Sequence, residues 1–373
     1  MYKICYPQKD ATIEEKYPDR NSGIDQIIFL TKYAPGETRN DVISEFSTWD
    51  TIYNSRILIK FDINDLKTKY LSLENTGSFK CMLNMTACEE FQLPLEYSLV
   101  AHPVSVDWKN GNGNANDLPY ITNGASWNYM TDGVTEDKWN TGSGAVVEYV
   151  SAEGGGSWYN EHASTQSFIF ESADISMDVT NIVKLWMDDT INNNGFIIKH
   201  TKENEENTNI LGSIKFFGRE SHTIHLPKLV STWNNVEYTG SYFSGSNIIT
   251  DVTEQYFISI TNLKTRYTVG EQQRLRIVAK PKFVHRRYDF SLRDEIKYRL
   301  PQETYYSIID TVSKQTIVPY CEGTLIETDN NGHYINIDLD SFLPNRYYTI
   351  LFKVVTGAYE NIINDKFNFN VSI

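Results

Sequence analysis

The sequence lacks the usual equipment for binding nucleotides, metals or membranes. It contains neither GxxxxGK[ST] nor a GxGxxG that opens a helix, so glycine-rich phosphate cradles are missing. HExxH and GxSxG are absent too, which removes the zincin helix and the nucleophile elbow. The four cysteines, Cys5, Cys81, Cys88 and Cys321, form no CxxC pair and no zinc spacing. Cys81 and Cys88 would pair only in an oxidising compartment, and buried free thiols are the simpler expectation. No run approaches the ~18 apolar residues of a membrane-spanning helix. Residues 1–20, "MYKICYPQKDATIEEKYPDR", hold no apolar core of secretory length, so a soluble chain made in the cytoplasm is expected. An excess of basic charge is also missing. The net charge of −14 disfavours general binding to nucleic acid or anionic membrane. No cofactor and no metal are expected.

What is present points to strands. Aromatic residues make up 13% of the chain, led by 24 tyrosines, a composition that favours sheets over helical bundles. At 373 residues the chain is long enough for two or three domains. Residues 236–373 hold 15 Lys/Arg and 16 Asp/Glu of the 34 and 48 in the chain, which leaves 19 and 32, or −13, for residues 1–235. That asymmetry suggests two domains with different surroundings.

"RILIKFDI" (56–63) alternates, with Ile57, Ile59, Phe61 and Ile63 on one face and Leu58, Lys60 and Asp62 on the other, as in a half-buried strand. Further strands are expected at 27–31, 79–85, 95–100, 145–150, 166–171, 195–200, 213–217 and 228–233, with Gly/Asn-rich loops between several of them. "DVTNIVKLWMDD" (178–189) reads as one amphipathic helix with Asp178 or Thr180 as N-cap. "ENEEN" (203–207) reads as a solvated acidic loop. After a Gly/Ser/Asn-rich linker or crossover at 235–251, strands return at immunoglobulin-like spacing. They include a hairpin at 324–339 that turns on Asn331-Gly332. The expected architecture is all-β: a jelly-roll-like β-sandwich over 1–234 with one short amphipathic helix, then an Ig-like β-sandwich over 252–373.

Several residue groups invite a chemical reading. "FFGRES" (216–221), followed by "HTIHLP", brings Arg219, Glu220, Ser221, His222 and His225 together as a hydrolase would. In an extended segment Glu220 and His222 share a face while Ser221 points away, so a catalytic triad is not expected. His222 and His225 would likewise face opposite sides of a strand, which argues against a metal pair. Trp108, Trp127, Tyr129, Trp139 and Trp158 lie among Gly, Asn and Asp in the 108–160 loops. They read either as core and loop anchors or as a stacking platform for a glycan. In the C-terminal part, Arg274, Arg276, Lys280, Lys282, Arg286 and Arg287 are concentrated in "RLRIVAKPKFVHRRYDF" (274–290). That stretch is either a solvated strand edge or a face for an acidic neighbouring subunit.

Taken in order, "DATIEEKYPDRNSGID" (10–25), "SRILIKFDI" (55–63), "SWNYMTDGVTEDKWNTGSG" (126–144), "ISMDVTNIVKLWMDDTINNNGFIIKH" (175–200) and "FFGRESHTIHLPKLVSTW" (216–233) resemble the DNRLRE domain family over residues 8–233. Asp10, Ile13, Asn21 and Gly23 match its early tract, and Phe217, Gly218, Arg219, Glu220 and Pro227 its closing block. "TYYSIIDTVSKQTIVPY" (304–320) and "GHYINIDLDSFLPNRYYTILFKV" (332–354) are similar to Ig-like modules of tailed-phage structural proteins. The resemblance implies a non-enzymatic sandwich, here a virion protein assembled in host cytoplasm at the neck, tail or head surface. Its partners would be other virion proteins and further copies of the chain. A carbohydrate-binding or adhesin module for host glycans is the alternative. Arg219 and Glu220 are expected to form an ion-pair or hydrogen-bond clasp at the sandwich rim, so that Arg219→Ala lowers the melting temperature.

Overall fold

A computed structural model describes residues 1–33, 52–73, 78–133, 137–139, 147–148, 154–169, 172–234, 241–243, 248–249, 256–282, 297–357 and 359–373. The architecture is all-β, with short helices. Contacts divide the chain into two units. One comprises Cys5–Ser72 and Lys80–Val230; the other comprises Met1–Ile4, Leu73–Phe79 and Ser231–Ile373. The first strand, β1 (Tyr2–Cys5), thus belongs largely with the C-terminal sandwich.

The larger unit contains β2 (Pro7–Glu14), β3 (Ile27–Tyr33), β4 (Tyr53–Phe61), β5 (Lys80–Met85), β6 (Ala87–Phe91) and β7 (Glu96–Pro103). It continues with β8 (Val147–Glu148), β9 (Trp158–Tyr159), β10 (Ser164–Ile169), β11 (Ile175–Asp178), β12 (Phe196–His200), β13 (Gly212–Phe217) and β14 (Lys228–Thr232). A curled sheet runs β10-β7-β12-β4-β3-β13-β6, with β2 also paired to β4; a second sheet carries β14-β5-β11. The helix expected at 178–189 is α2 (Thr180–Met187), with Ile182, Val183 and Trp186 buried. Asp178 Oδ1 accepts from the Thr180 N–H at 2.9 Å just ahead of it. Two further short helices, α1 (Asn64–Leu71) and α3 (Lys202–Glu206), carry no strong apolar stripe and escape the periodicity.

β4 departs from the half-buried reading. Ile57, Ile59 and Phe61 are buried as expected, but Arg56 and Leu58 on the other face are buried too. One face packs toward Phe196, whose ring lies 4.6 Å from that of Trp186 in α2. On the other face, Leu58 joins Ala11, Ile13 and Ile197 beneath the tryptophans of the 108–160 loops. A strand roofed on both sides has no solvent face for the alternation to report.

In the smaller unit, β16 (Tyr256–Ile260), β18 (Gln272–Pro281), β22 (Glu327–Asp329) and β23 (Gly332–Asp338) form one sheet in the order β16-β18-β23-β22. β17 (Arg266–Thr268), β20 (Thr304–Asp310), β21 (Thr316–Val318), β24 (Arg346–Thr356) and β25 (Tyr359–Ser372) form the other, in the order β17-β25-β24-β20-β21. β15 (Ile248–Ile249) and β19 (Lys297–Tyr298) make a small parallel pair. The two main sheets reproduce the immunoglobulin division of strands, with β17 parallel to the last strand. Tyr348, near the start of β24, donates its hydroxyl to the Leu343 carbonyl at 2.8 Å, the tyrosine-corner bond of such sandwiches. The expected hairpin turns where Asp329 pairs with Gly332, whose φ is +111°. Lys3 of β1 forms a buried 2.8 Å ion pair with Asp338.

Candidate functional site

The segment around "FFGRES" ends β13 and enters a turn. Arg219 Nη1 lies 3.0 Å from Glu220 Oε1, but the two side chains are 40% and 37% exposed. This ion pair joins sequence neighbours and holds no two elements together. The clasp runs instead through the main chain, where the Arg219 N–H donates to Asp10 Oδ2 at 2.6 Å. Ser221 is buried and gives its hydroxyl to the Gly218 carbonyl at 2.7 Å. His225 stacks on Phe217 at 5.5 Å, and His222 is exposed.

Asp10 connects this turn to the Gly/Asn-rich loop. Its N–H donates to Asn110 Oδ1 at 3.0 Å. Asn21, completely buried, donates from Nδ2 to the carbonyls of Asn110 and Ala125, and its Oδ1 accepts from the N–H groups of Gly23 and Gly113. Gly111 has φ +75°, and a Cβ there would sit 2.2 Å from Asn21 Oδ1, so the loop closes on this amide only through glycine. Burial raises the Asp10 carboxyl to about 7, against the Arg219 N–H that favours the ionised form.

The tryptophans are not offered to solvent. Trp108, Trp127, Trp139 and Trp158 are each 5% exposed or less, and Tyr129 is half-buried. The four indoles cannot serve as a stacking platform for a sugar in this arrangement, because protein covers them. They roof a layer of buried charge. Arg56 makes a bidentate pair with Glu205 at 2.9 and 3.0 Å, and Lys199 Nζ reaches the same carboxylate at 2.9 Å. The Arg56 guanidinium lies 4.7 Å from the Trp127 ring centre and 5.2 Å from that of Trp158. Gly155, at φ +89°, carries the chain so close that a Cβ would meet Arg56 Nη1 at 2.3 Å. The run "ENEEN" is therefore not a solvated loop. It is α3, with Glu205 buried in this ion cluster and Lys32 Nζ donating to the C-cap Asn207, 2.9 Å from Oδ1. Burial alone would push the Glu205 carboxyl up; the Arg56 and Lys199 charges override it and hold the carboxyl below its ordinary value.

On β18 the basic residues divide. Arg274 and Arg276 share Asp329, at 3.4 and 2.6 Å, and lie 4.2 and 5.4 Å from the Tyr334 ring centre. Lys280 and Lys282 are exposed, with the Lys282 ammonium 5.9 Å from the ring centre of Phe257, itself 53% exposed. Arg286 and Arg287, like most of the linker 235–251, lie outside the described residues.

A cleft of about 350 Å³ in the larger unit was not foreseen. Its floor follows from the strict alternation of β13, which buries Ile214 and Phe216 and turns Ser213 and Lys215 to the other face. The register aligns two cross-strand rows on that face: Thr31–Ser213–Phe91 and Phe29–Lys215–Glu89. Glu14, the last residue of β2, and Tyr17 and Arg20 just beyond it also line the cleft. Arg20 pairs with Glu14, donates to the Ala115 carbonyl at 2.9 Å, and lies 4.0 Å from the Tyr17 ring centre.

The chain matches no protein-family model and no curated protein.

Proposed function

We propose that the protein is a non-enzymatic virion structural protein of a tailed bacteriophage, assembled in host cytoplasm at the neck, tail or head surface. The observation that carries this reading is the outer face of the β16–β18 pair. Phe257 lies opposite Lys280 in the register, with Val278 39% exposed and Lys282 beside them. An exposed aromatic and aliphatic centre flanked by two lysines suits an acidic protein partner, because apolar burial supplies affinity and charge supplies orientation. Residues 1–235 of another copy, at −13, offer such a surface, as would an acidic virion neighbour. Support also comes from the residues that carry the DNRLRE resemblance. Asp10, Asn21, Gly23 and Arg219 bond to one another or to the 110–125 loop, a scaffolding use of polar groups.

Mass spectrometry of purified particles is expected to find the chain as a stoichiometric component. The double substitution Phe257→Asp, Lys280→Glu is expected to abolish incorporation without changing the melting temperature. Particles that contain no copy of the chain would refute the assignment.

A further inference from the structure

We propose that the cleft over β3, β13 and β6 binds a neutral saccharide, at a place unrelated to the buried tryptophans and independent of the assembly role. Two features of the cleft define the ligand. The first is charge. Glu14 is paired with Arg20, and Glu89 with Lys215 at 2.8 Å, so each carboxylate has its own cation. A charged ligand would have to break one of these pairs, whereas a neutral one can share hydrogen bonds with both.

The second feature is the mixture of surfaces. Phe29 and Phe91 sit in different rows and on the outer strands of the three, with Phe91 47% exposed. Rows two residues apart are separated by about 7 Å, and the outer strands by about 10 Å. Between the rings lie the hydroxyls of Thr31 and Ser213, the Glu89 carboxylate and the Lys215 ammonium. A purely apolar ligand would strip water from the exposed Glu89–Lys215 pair and offer no hydrogen bond in return. A saccharide carries both a C–H face for an aromatic ring and a rim of hydroxyls that donate and accept. Arg20 closes the wall, its guanidinium held by Glu14 and by the Ala115 carbonyl at 2.9 Å. The volume of about 350 Å³ falls at the small end of ligand pockets, which fits one or two sugar rings and not a longer chain.

The test is an amide-resolved NMR titration of the full chain with lactose, cellobiose and maltose, and with glucuronic acid as the charged comparison. At least one neutral disaccharide is expected to bind saturably with millimolar Kd, shifting amides in 29–31, 89–92 and 213–215. Phe91→Ala, at an exposed position on an edge strand, is expected to weaken that binding about tenfold or more while leaving the melting temperature unchanged. Ser213→Ala should weaken it less. The inference is overturned if none of the disaccharides binds, if the shifts fall elsewhere, if glucuronic acid alone binds, or if Phe91→Ala binds as tightly as the parent. A protein absent from virions but positive in this titration would remove the assembly role and leave the cleft assignment standing.

Discussion

The outer face of β18 in the C-terminal sandwich carries Arg274, Arg276 and Lys280 toward solvent, whereas the comparable face of β4 in the larger unit is roofed by four tryptophans. Arg56 on β4 and Arg274 on β18 show what that difference does. Arg274 is 49% exposed and leans on Tyr334, so water solvates what Asp329 does not. Arg56 is 2% exposed, and its charge must be answered entirely by Glu205, the Gly155 carbonyl and two indole faces. Covering both faces of a sheet converts every polar residue on the second face into an obligation. In the Ig-like unit β18 leaves one face to water, and a buried charge such as Asp338, 3% exposed, is answered by the Lys3 ammonium at 2.8 Å.

The sharpest way to break this contrast is to remove the answering charge. Glu205→Ala leaves Arg56 and Lys199 buried and unpaired, and is expected to destabilise by about 3–5 kcal/mol in denaturant unfolding. Arg274→Ala should change stability by less than about 0.5 kcal/mol. Equal losses at the two arginine sites would erase the distinction. Asn21→Ala comes next. It strips two buried carbonyls and two N–H groups of their partners and is expected to cost at least about 2 kcal/mol. Protease cleavage within 108–126 should rise with it.

The same contrast explains what was legible in the sequence. In the C-terminal unit β16 and β18 face water on one side, so their alternation and the strand spacing could be read directly; the hairpin was read too, but it turns on Asn330-Asn331, one residue before Asn331-Gly332. In the larger unit α2 was legible because its apolar stripe is strong, and β13 because it alternates without interruption. Leu58 and Glu205 misled for one reason: a charge or an alternation implies solvent only when nothing covers it. No local signal in "ENEEN" tells that Arg56 lies opposite. The cleft was hidden differently. Ser213 and Lys215 could be placed on one face from "GSIKFF", but not the neighbours that complete the floor, since strand order in the sheet is not written in any one segment. The Arg219–Glu220 pair was foreseen, but the partner that does the clasping, Asp10, lies 209 residues away.

Asp10 gives the larger unit a pH dependence. Its folded value of about 7 stands above the ordinary carboxylate range, so its contribution is fully present below pH ~4 and is lost as pH rises through 7. Asp25, raised to about 6 by burial, acts with the same sign. His102 and His200, lowered to about 4 by burial, act with the opposite sign between pH ~4 and ~6.5, so the Asp10 contribution is read as the difference between parent and variant. Asp10→Asn, which keeps an oxygen for the Arg219 N–H but cannot ionise, should gain in midpoint relative to the parent as pH rises from ~4 through 7. A variant whose midpoint keeps a constant offset from the parent across that range would exclude Asp10 as the source. In the Ig-like unit the matching test is Tyr348→Phe, which deletes one hydroxyl bond to Leu343 and is expected to cost about 1 kcal/mol with no pH dependence.

The smallest effect is expected at Arg219. The sequence pattern makes it a clasp, and its loss should then lower the melting temperature. Among the described residues its side chain instead forms an ion pair with Glu220 alone, its neighbour in sequence, at a site where both are more than a third exposed. Water competes for both groups there, salt screens them, and holding two long side chains in one geometry costs entropy. The structural bond at this position belongs to the Arg219 main-chain N–H, which any residue but proline supplies. Arg219→Ala should thus shift stability by less than about 0.5 kcal/mol, and Arg219→Pro by several times that through the lost bond to Asp10. Midpoints that fall equally in the two variants would return the clasp to the side chain.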